Sequence, residues 1–571
     1  MRNRLLSYGS LPIMIALCIL VSGCTRPTPA AEAETEGPES GTAFPQSGSG
    51  TKPEQGPPGT DAVDEAPVDG DWLVGVLPAE MESLNPFTTS DAYAARINEY
   101  VFESLLDMDN ETFELIPELA ASWKISEDKL SYTFKLAEGI IFSDGQPLTA
   151  HDVKFSFDKL MDPTTDAPHA RNYYKDVTAC EVLDDLTVRF TCSKPYFRHL
   201  MMLGGLEVIP EHIYAEGDFN NHPNNRNPVG SGPYVLERWD TGQQLVLVRN
   251  ERYWGEKPHI LKRVYRIITN PEAALQGLMS HEVDTMGLTP EQWITRASKP
   301  KFEEDFNKLS YNGPGYSYIG WNLRRPQFED KRVRRALTML LDRELIRDEI
   351  YYNLAEVTSG NFFMDEPEYD KSIKPWPFDP DTAKQLLDEA GWIDSNGDGV
   401  RDKDGRPFRF ELLLTNDNPE GEQIATVFQE ELAAAGIDMS IRQLEWATFL
   451  ESVKGHNFDA CMLGWSLPPE PDPYQVWHSS QAVVNGSNAV GFVNKEADEI
   501  IEEGRLIFDR QERVKLYHRF HAIVHEEQPY TFLFCRKALL ATDKRFHNVI
   551  VYPRGPDSRE WWVPLALQRY H

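Results

Sequence analysis

Four oxygen-bearing side chains recur at the spacing of a calcium loop: Asp394, Asn396, Asp398 and Asp402. Acidic and amide groups at alternate positions, followed by Gly399, would let a sharp turn converge their oxygens on a cation. The twelfth position is Gly405 rather than a bidentate Glu, so the rival reading is an acidic turn between a helix over 381–391 and a strand over 407–414. His518, His521 and His525 stand at i, i+3 and i+7 of a helix and could meet a metal, although the interleaved Val514, Tyr517, Phe520 and Val524 read as a packed face. Cys180 and Cys192 flank a turn at Asp184-Asp185 and could face each other, so a disulfide between them is one possibility outside the cytoplasm. For Cys461 and Cys535 the sequence leaves pairing open. There is no GxSxG, HExxH or Walker-A loop, so the residues that perform the commoner hydrolytic and nucleotide chemistries are missing.

A further cysteine carries a different chemistry. Arg2 and Arg4 precede an apolar stretch, Leu11 to Val21, which is too short for a permanent bilayer span and fits a signal peptide over residues 1–23. It ends Leu20-Val21-Ser22-Gly23-Cys24, which resembles the bacterial lipobox and implies cleavage before Cys24 and lipidation of that residue. Residues 24–70 are rich in Pro, Gly, Ser, Thr and Glu and nearly free of large apolar side chains, a composition that cannot offset chain entropy by burial. They read as an acidic tether. The 571 residues carry 57 Lys and Arg against 90 Asp and Glu, a net charge of −33, which argues against a nucleic-acid or anionic-membrane surface. Hydrophobic residues at 41% and aromatics at 11% exclude a disordered chain.

The elements that must position any site begin near Asp71. Residues 72–77 read as a strand, 91–106 and 152–160 as helices, and 130–136 as an alternating strand. Hairpins are expected over 178–192, around Asp184-Asp185, and over 234–248, turning at Thr241-Gly242. Residues 331–350, capped by Asp330, form the clearest helical pattern. Mixed strands and helices without strict alternation indicate an α/β body of several lobes.

Six blocks along this body, in order, resemble the family 5 extracellular solute-binding proteins of ABC importers. They are residues 84–106, 139–160, 229–255, 319–346, 377–392 and 458–465. The resemblance implies a two-lobed clamshell of the type II periplasmic-binding-protein kind with a third subdomain. Lobe I would comprise 71–109, 226–315 and 536–571, the small subdomain 110–225, and lobe II 316–535. Hinges are expected near 312–318 and 532–538. The implied function is capture of peptides between the lobes and delivery to an ABC permease with its cytoplasmic ATPase. No cofactor is expected beyond the Ca²⁺ considered above, and the protein is expected to act as a monomer outside the cytoplasm, tethered at Cys24. The rivals are the same fold binding a nickel complex, haem or oligosaccharide, and a lipid-tethered secreted hydrolase.

The resemblance also implies site residues. In its peptide-binding members the ligand pairs its main chain with two backbone segments, here Ser90-Asp91-Ala92-Tyr93 and Gly464-Trp465-Ser466. Trp446, nineteen residues before Trp465, is expected to line the pocket with it. Members that hold a free amino terminus often do so with an Asp three residues after the second Trp. Here that residue is Pro468, and Glu470 or Asp472 would have to take its place.

Overall fold

The computed structural model describes residues 66–89, 91–416 and 418–570. The leader, Cys24, most of the tether and Ser90 therefore lie outside the described residues. Three sheets organise the rest. The largest has eight strands, and its centre is Trp72–Leu77, which pairs in parallel with Lys262–Ile267 from Trp72 opposite Lys262 to Leu77 opposite Ile267. A central strand covered on both faces must be apolar along its length, and Trp-Leu-Val-Gly-Val-Leu is. The expected hairpin at Thr241-Gly242 forms from Tyr234–Asp240 and Gln244–Arg249, with Gly242 in the left-handed region at φ 73°. Just before it, Gly230 and Gly232 lie against the end of helix Ala92–Val101. A Cβ on either would come within 1.9 and 2.6 Å of the Val101 and Tyr100 carbonyl oxygens, so no side chain fits.

A four-stranded antiparallel sheet holds Ala120–Ile125, Ser131–Leu136, Thr187–Cys192 and Val177–Asp184. Beside it, helix Ala150–Met161 starts in a capping box between Thr149 and Asp152. The disulfide considered within this sheet is not formed. Register places Cys180 opposite Phe190 and Cys192 opposite Val177, so the two residues are not cross-strand partners, and both thiols are free and buried.

The third sheet runs Asp438–Leu444, Arg409–Thr415, Ala460–Ser466, Gly315–Trp321, Tyr530–Phe532. One core packs on it through Trp321, Phe410 and Phe428, and another through Tyr318, Trp477 and Tyr530. The single helix expected over 331–350 is two, Lys331–Met339 and Arg343–Glu349. Asp342 divides them, because its carboxylate accepts from the Leu345 N–H at 2.9 Å and caps a new start.

The chain passes between the large and the five-stranded sheet twice. Phe306–Asn312 leads into Gly315–Trp321, and Tyr530–Phe532 leads back into Phe534–Asp543. The crossings touch: the Gly313 N–H donates to the Arg536 carbonyl at 2.8 Å, and the Cys535 thiol donates to the Gly313 carbonyl at 3.2 Å.

Burial also sets an acid limit on the fold. His199 is 1% exposed, edge-on to Tyr132 and Tyr196, and neither ring nitrogen has a partner. That burial pushes its pKa down to about 4. The unfolded chain binds the proton first, so stability is present above about pH 6.5 and is lost as pH falls toward 4, by roughly 3 kcal/mol at the limit for this one group. Melting curves between pH 7 and 4 should show His199→Phe losing less stability than the parent. A parallel decline in both would contradict the assignment.

Candidate functional site

A cleft of about 360 Å³ opens where the crossings meet the five-stranded sheet. Its walls include Gly315 and Ser317, Met462 and Gly464, Ile424 of helix Pro419–Ala434, Trp446, and Arg536. Trp446 begins helix Trp446–Lys454, where the Glu445 carboxylate caps by accepting from the Ala447 N–H at 2.9 Å. This fixes the indole at the cleft with 41% of the residue exposed, stacked on Phe449 at 6.0 Å. Across the cleft Arg536 pairs with Glu420 at 2.9 Å.

The strand Ala460–Ser466 gives the cleft its main-chain chemistry. On one side it pairs with Gly315–Trp321 along its whole length; on the other it meets Arg409–Thr415 only at Ala460 and Cys461. The Leu467 N–H donates to the Pro314 carbonyl at 2.8 Å, which sets the phase of the antiparallel ladder. Residues 463 and 465 therefore bond inward, and Gly464 and Ser466 turn their N–H and C=O outward. Both residues are exposed, and these backbone groups have no partner among the described residues. The result is a short, open strand edge.

The expected residues are thus divided. Trp446 and Gly464 meet at the cleft, and Ser466 extends the same edge. Trp465 points to the opposite face, as strand alternation requires. Its ring lies 6.5 Å from Tyr318 in a stack that continues to Tyr530 at 3.8 Å, and its Nε1–H donates to the Tyr530 hydroxyl at 3.4 Å. Asp91 caps helix Ala92–Val101, accepting from the Tyr93 N–H at 2.6 Å and the Ala94 N–H at 3.1 Å; neither it nor Ala92 nor Tyr93 lines the cleft. Glu470 pairs with Arg513 at 3.2 Å, and Asp472 with Arg505 at 3.1 Å and the Tyr196 hydroxyl at 2.7 Å. Both carboxylates are already ion-paired within the chain. Arg536 and Ser317 escaped sequence reasoning. The only available signal was their place at the two crossings.

The candidate metal ligands all have partners within the chain. Asp394 accepts from the Gly397 and Gly399 N–H groups, Asn396 from Asp398, Asp398 from Val400, and Asp402 from Ser395. The loop's oxygens are spent on its own backbone, which makes it an Asx-turn structure, and no group of three or more His, Cys, Asp or Glu able to hold a metal occurs among the described residues. His518, His521 and His525 bond separately to the Pro367 carbonyl, the Ser359 hydroxyl and the Ser359 carbonyl. The Ser359–His521 contact, at 3.1 Å, does not make a nucleophile and base. His521 Nδ1 accepts from the Asp370 N–H at 3.2 Å, so Nε2 carries the hydrogen and donates to Ser359. Both residues are buried, and burial holds His521 down to about 4.

A mixed α/β body with two crossings and a cleft at their junction is the arrangement of a type II periplasmic binding protein. Residues 114–487 match the family described as bacterial extracellular solute-binding proteins, family 5 Middle, and the chain belongs to that family. The oligopeptide-binding protein AppA of Bacillus subtilis is 30% identical over 580 residues, covering 99% of this chain and all of AppA. The structure of AppA in complex with a nonapeptide has a TM-score of 0.70 and covers 87% of this chain and 100% of that one. NikZ from Campylobacter jejuni in complex with Ni(L-His) is 26% identical, with a TM-score of 0.71 and the same coverage. The family is one of solute binders, and the chain's role is to bind a substrate.

Proposed function

We propose that this protein captures peptides in the cleft beside Trp446 and Gly464 and delivers them to an ABC permease driven by a cytoplasmic ATPase. The observation that carries the reading is the open edge at Gly464 and Ser466. An extended peptide can add there as a strand, and main-chain bonds give affinity without reading side chains. Ser90 to Tyr93 would supply the second backbone segment when 71–109, 226–315 and 536–571 close as one lobe over 316–535. Trp446 then covers one ligand side chain, and Trp465 shapes the strand from behind. A nonapeptide in AppA and Ni(L-His) in NikZ mark the range of solutes taken by similar proteins. The strand edge favours peptide, since a metal chelate has no repeating donors and acceptors to match it.

A panel of neutral three- to nine-residue peptides should raise the melting temperature of the mature protein, because a ligand at 100 times its Kd adds about 2.7 kcal/mol. Stabilisation by Ni(L-His), haem or an oligosaccharide but by no peptide would refute the peptide reading and leave the fold intact. Because Pro468 offers no carboxylate and those of Glu470 and Asp472 are already paired, N-acetylation should change affinity by less than about tenfold. A loss above a hundredfold would show that a carboxylate does hold the amine.

The same reading places the protein outside the cytoplasmic membrane, lipidated at Cys24 and acting as a monomer. Cys24→Ala should move it to the soluble extracytoplasmic fraction. Retention of that variant on membranes as firmly as the parent would contradict the anchor.

A further inference from the structure

The open-edge strand, Ala460–Ser466, separates two cores, and this gives the cleft two chemically distinct sides. Side chains alternate along a strand, so Met462 turns to one face and Cys461 and Trp465 turn to the other. Met462 belongs to the core that also holds Tyr351, Ile424 and Phe534. Phe449, on which Trp446 stacks, packs with Cys461 and Trp465 in the second core. Trp446 therefore stands on the side of the cleft away from Met462.

Tyr351, Ile424, Met462 and Phe534 all line the cleft, and each is buried at 5% exposure or less. Only their edges reach the opening, where they form a closed apolar floor. Gly464 shares the face of Met462 and has no side chain to cover that floor. The polar groups around it are largely spent. Among the described residues of the wall Arg536 alone is charged, and it pairs with Glu420 at 2.9 Å and lies 4.8 Å over the ring of Tyr351. Asn418 caps helix Pro419–Ala434, its side-chain oxygen accepting from the Gly421 N–H at 3.0 Å.

A peptide added along Gly464 and Ser466 takes on the alternation of the strand beside it. With one of its side chains against Trp446, the next lies on the other face, over Met462 and Ile424. A charged side chain there would lose its water and meet apolar surface, whereas Leu, Met or Phe would leave water for the edge of an existing core. Resting on the peptide reading above, we propose that the Met462 side of the cleft is a pocket for one large apolar side chain, so that peptides carrying Leu, Met or Phe bind in preference to polar or charged ones.

Calorimetric titration of the full mature chain with Ala-Ala-X-Ala-Ala, where X is Leu, Ala, Gln or Lys, tests this. The strand edge reads only main chain, so each peptide can slide until X meets the pocket. The parent should bind the Leu peptide at least ten times more tightly than the Gln and Lys peptides. Met462→Phe fills the pocket and should bind the Leu peptide no more tightly than the Ala one. Ile424→Thr puts a hydroxyl into the floor and should narrow the ratio of Leu to Gln; it carries the test if the Phe variant does not fold. Trp446→Ala should weaken all four peptides and keep the Leu preference, because its ring lies on the other side. Each ratio compares ligands on one protein, so a loss of stability alone does not move it. Equal binding of the Leu and Gln peptides by the parent overturns the pocket but leaves the peptide reading standing. A preference that survives Met462→Phe unchanged also overturns it, as does one that disappears in Trp446→Ala. Binding of none of the four removes the peptide reading itself and the inference with it.

Discussion

Trp446→Ala should weaken peptide binding by one to two orders of magnitude and leave the melting temperature nearly unchanged. The indole stands at the cleft wall with 41% of the residue exposed, so removing it opens no core cavity. Its helix keeps its cap, because Glu445 supplies the capping carboxylate and Trp446 does not. Ligand, by contrast, would cover the ring. A Trp buries on the order of 150–250 Å², and covering the 41% still exposed at about 25 cal/mol per Å² gives roughly 1.5–2.5 kcal/mol, close to the size of an interface hot spot. Trp465→Ala should behave oppositely. That ring is part of the Tyr318–Tyr530 stack, so its loss should show first in stability. Calorimetry and melting curves on both variants separate the cases. Equal loss of affinity without destabilisation in both would return Trp465 to the pocket wall.

Arg545→Leu should be among the most destabilising single substitutions. The guanidinium is buried with Asp71 at 2.9 Å, bonds both oxygens of Asp284, and lies over Phe546 at 4.5 Å. Asp284 in turn accepts from the Val74 N–H at 2.8 Å on the central strand of the large sheet. Removing the cation leaves Asp71 and Asp284 buried and uncompensated, which costs roughly 3–5 kcal/mol. The melting temperature should fall by on the order of 5–10 °C. A change within 2 °C would mean that water or Arg569, 3.6 Å from Asp284, takes over the charge.

That cluster also shows where sequence reading stops. Asp71 and Arg545 are 474 residues apart, and no periodicity or turn signal links them. The hairpins at Asp184-Asp185 and Thr241-Gly242 were legible because their turn chemistry is local. The open edge at Gly464 and Ser466 was legible only through the resemblance, since it depends on where a neighbouring strand, Arg409–Thr415, stops pairing. Two further sets of residues show the same limit. The spacing of Asp394, Asn396, Asp398 and Asp402 suits an ion as well as it suits the loop's own N–H groups, and the nearer donors won. The sequence offers Glu470 and Asp472 in place of the missing Asp, and it gives no hint that Arg513 and Arg505 pair with them.

Native mass spectrometry of the protein, purified from its extracytoplasmic fraction without denaturation, tests the central claim most directly. Strand pairing at a generic backbone edge predicts a family of added masses that fragment as peptides, released together when the cleft is denatured. A single added mass belonging to a metal chelate, haem or oligosaccharide, with no peptide among the bound species, would contradict it.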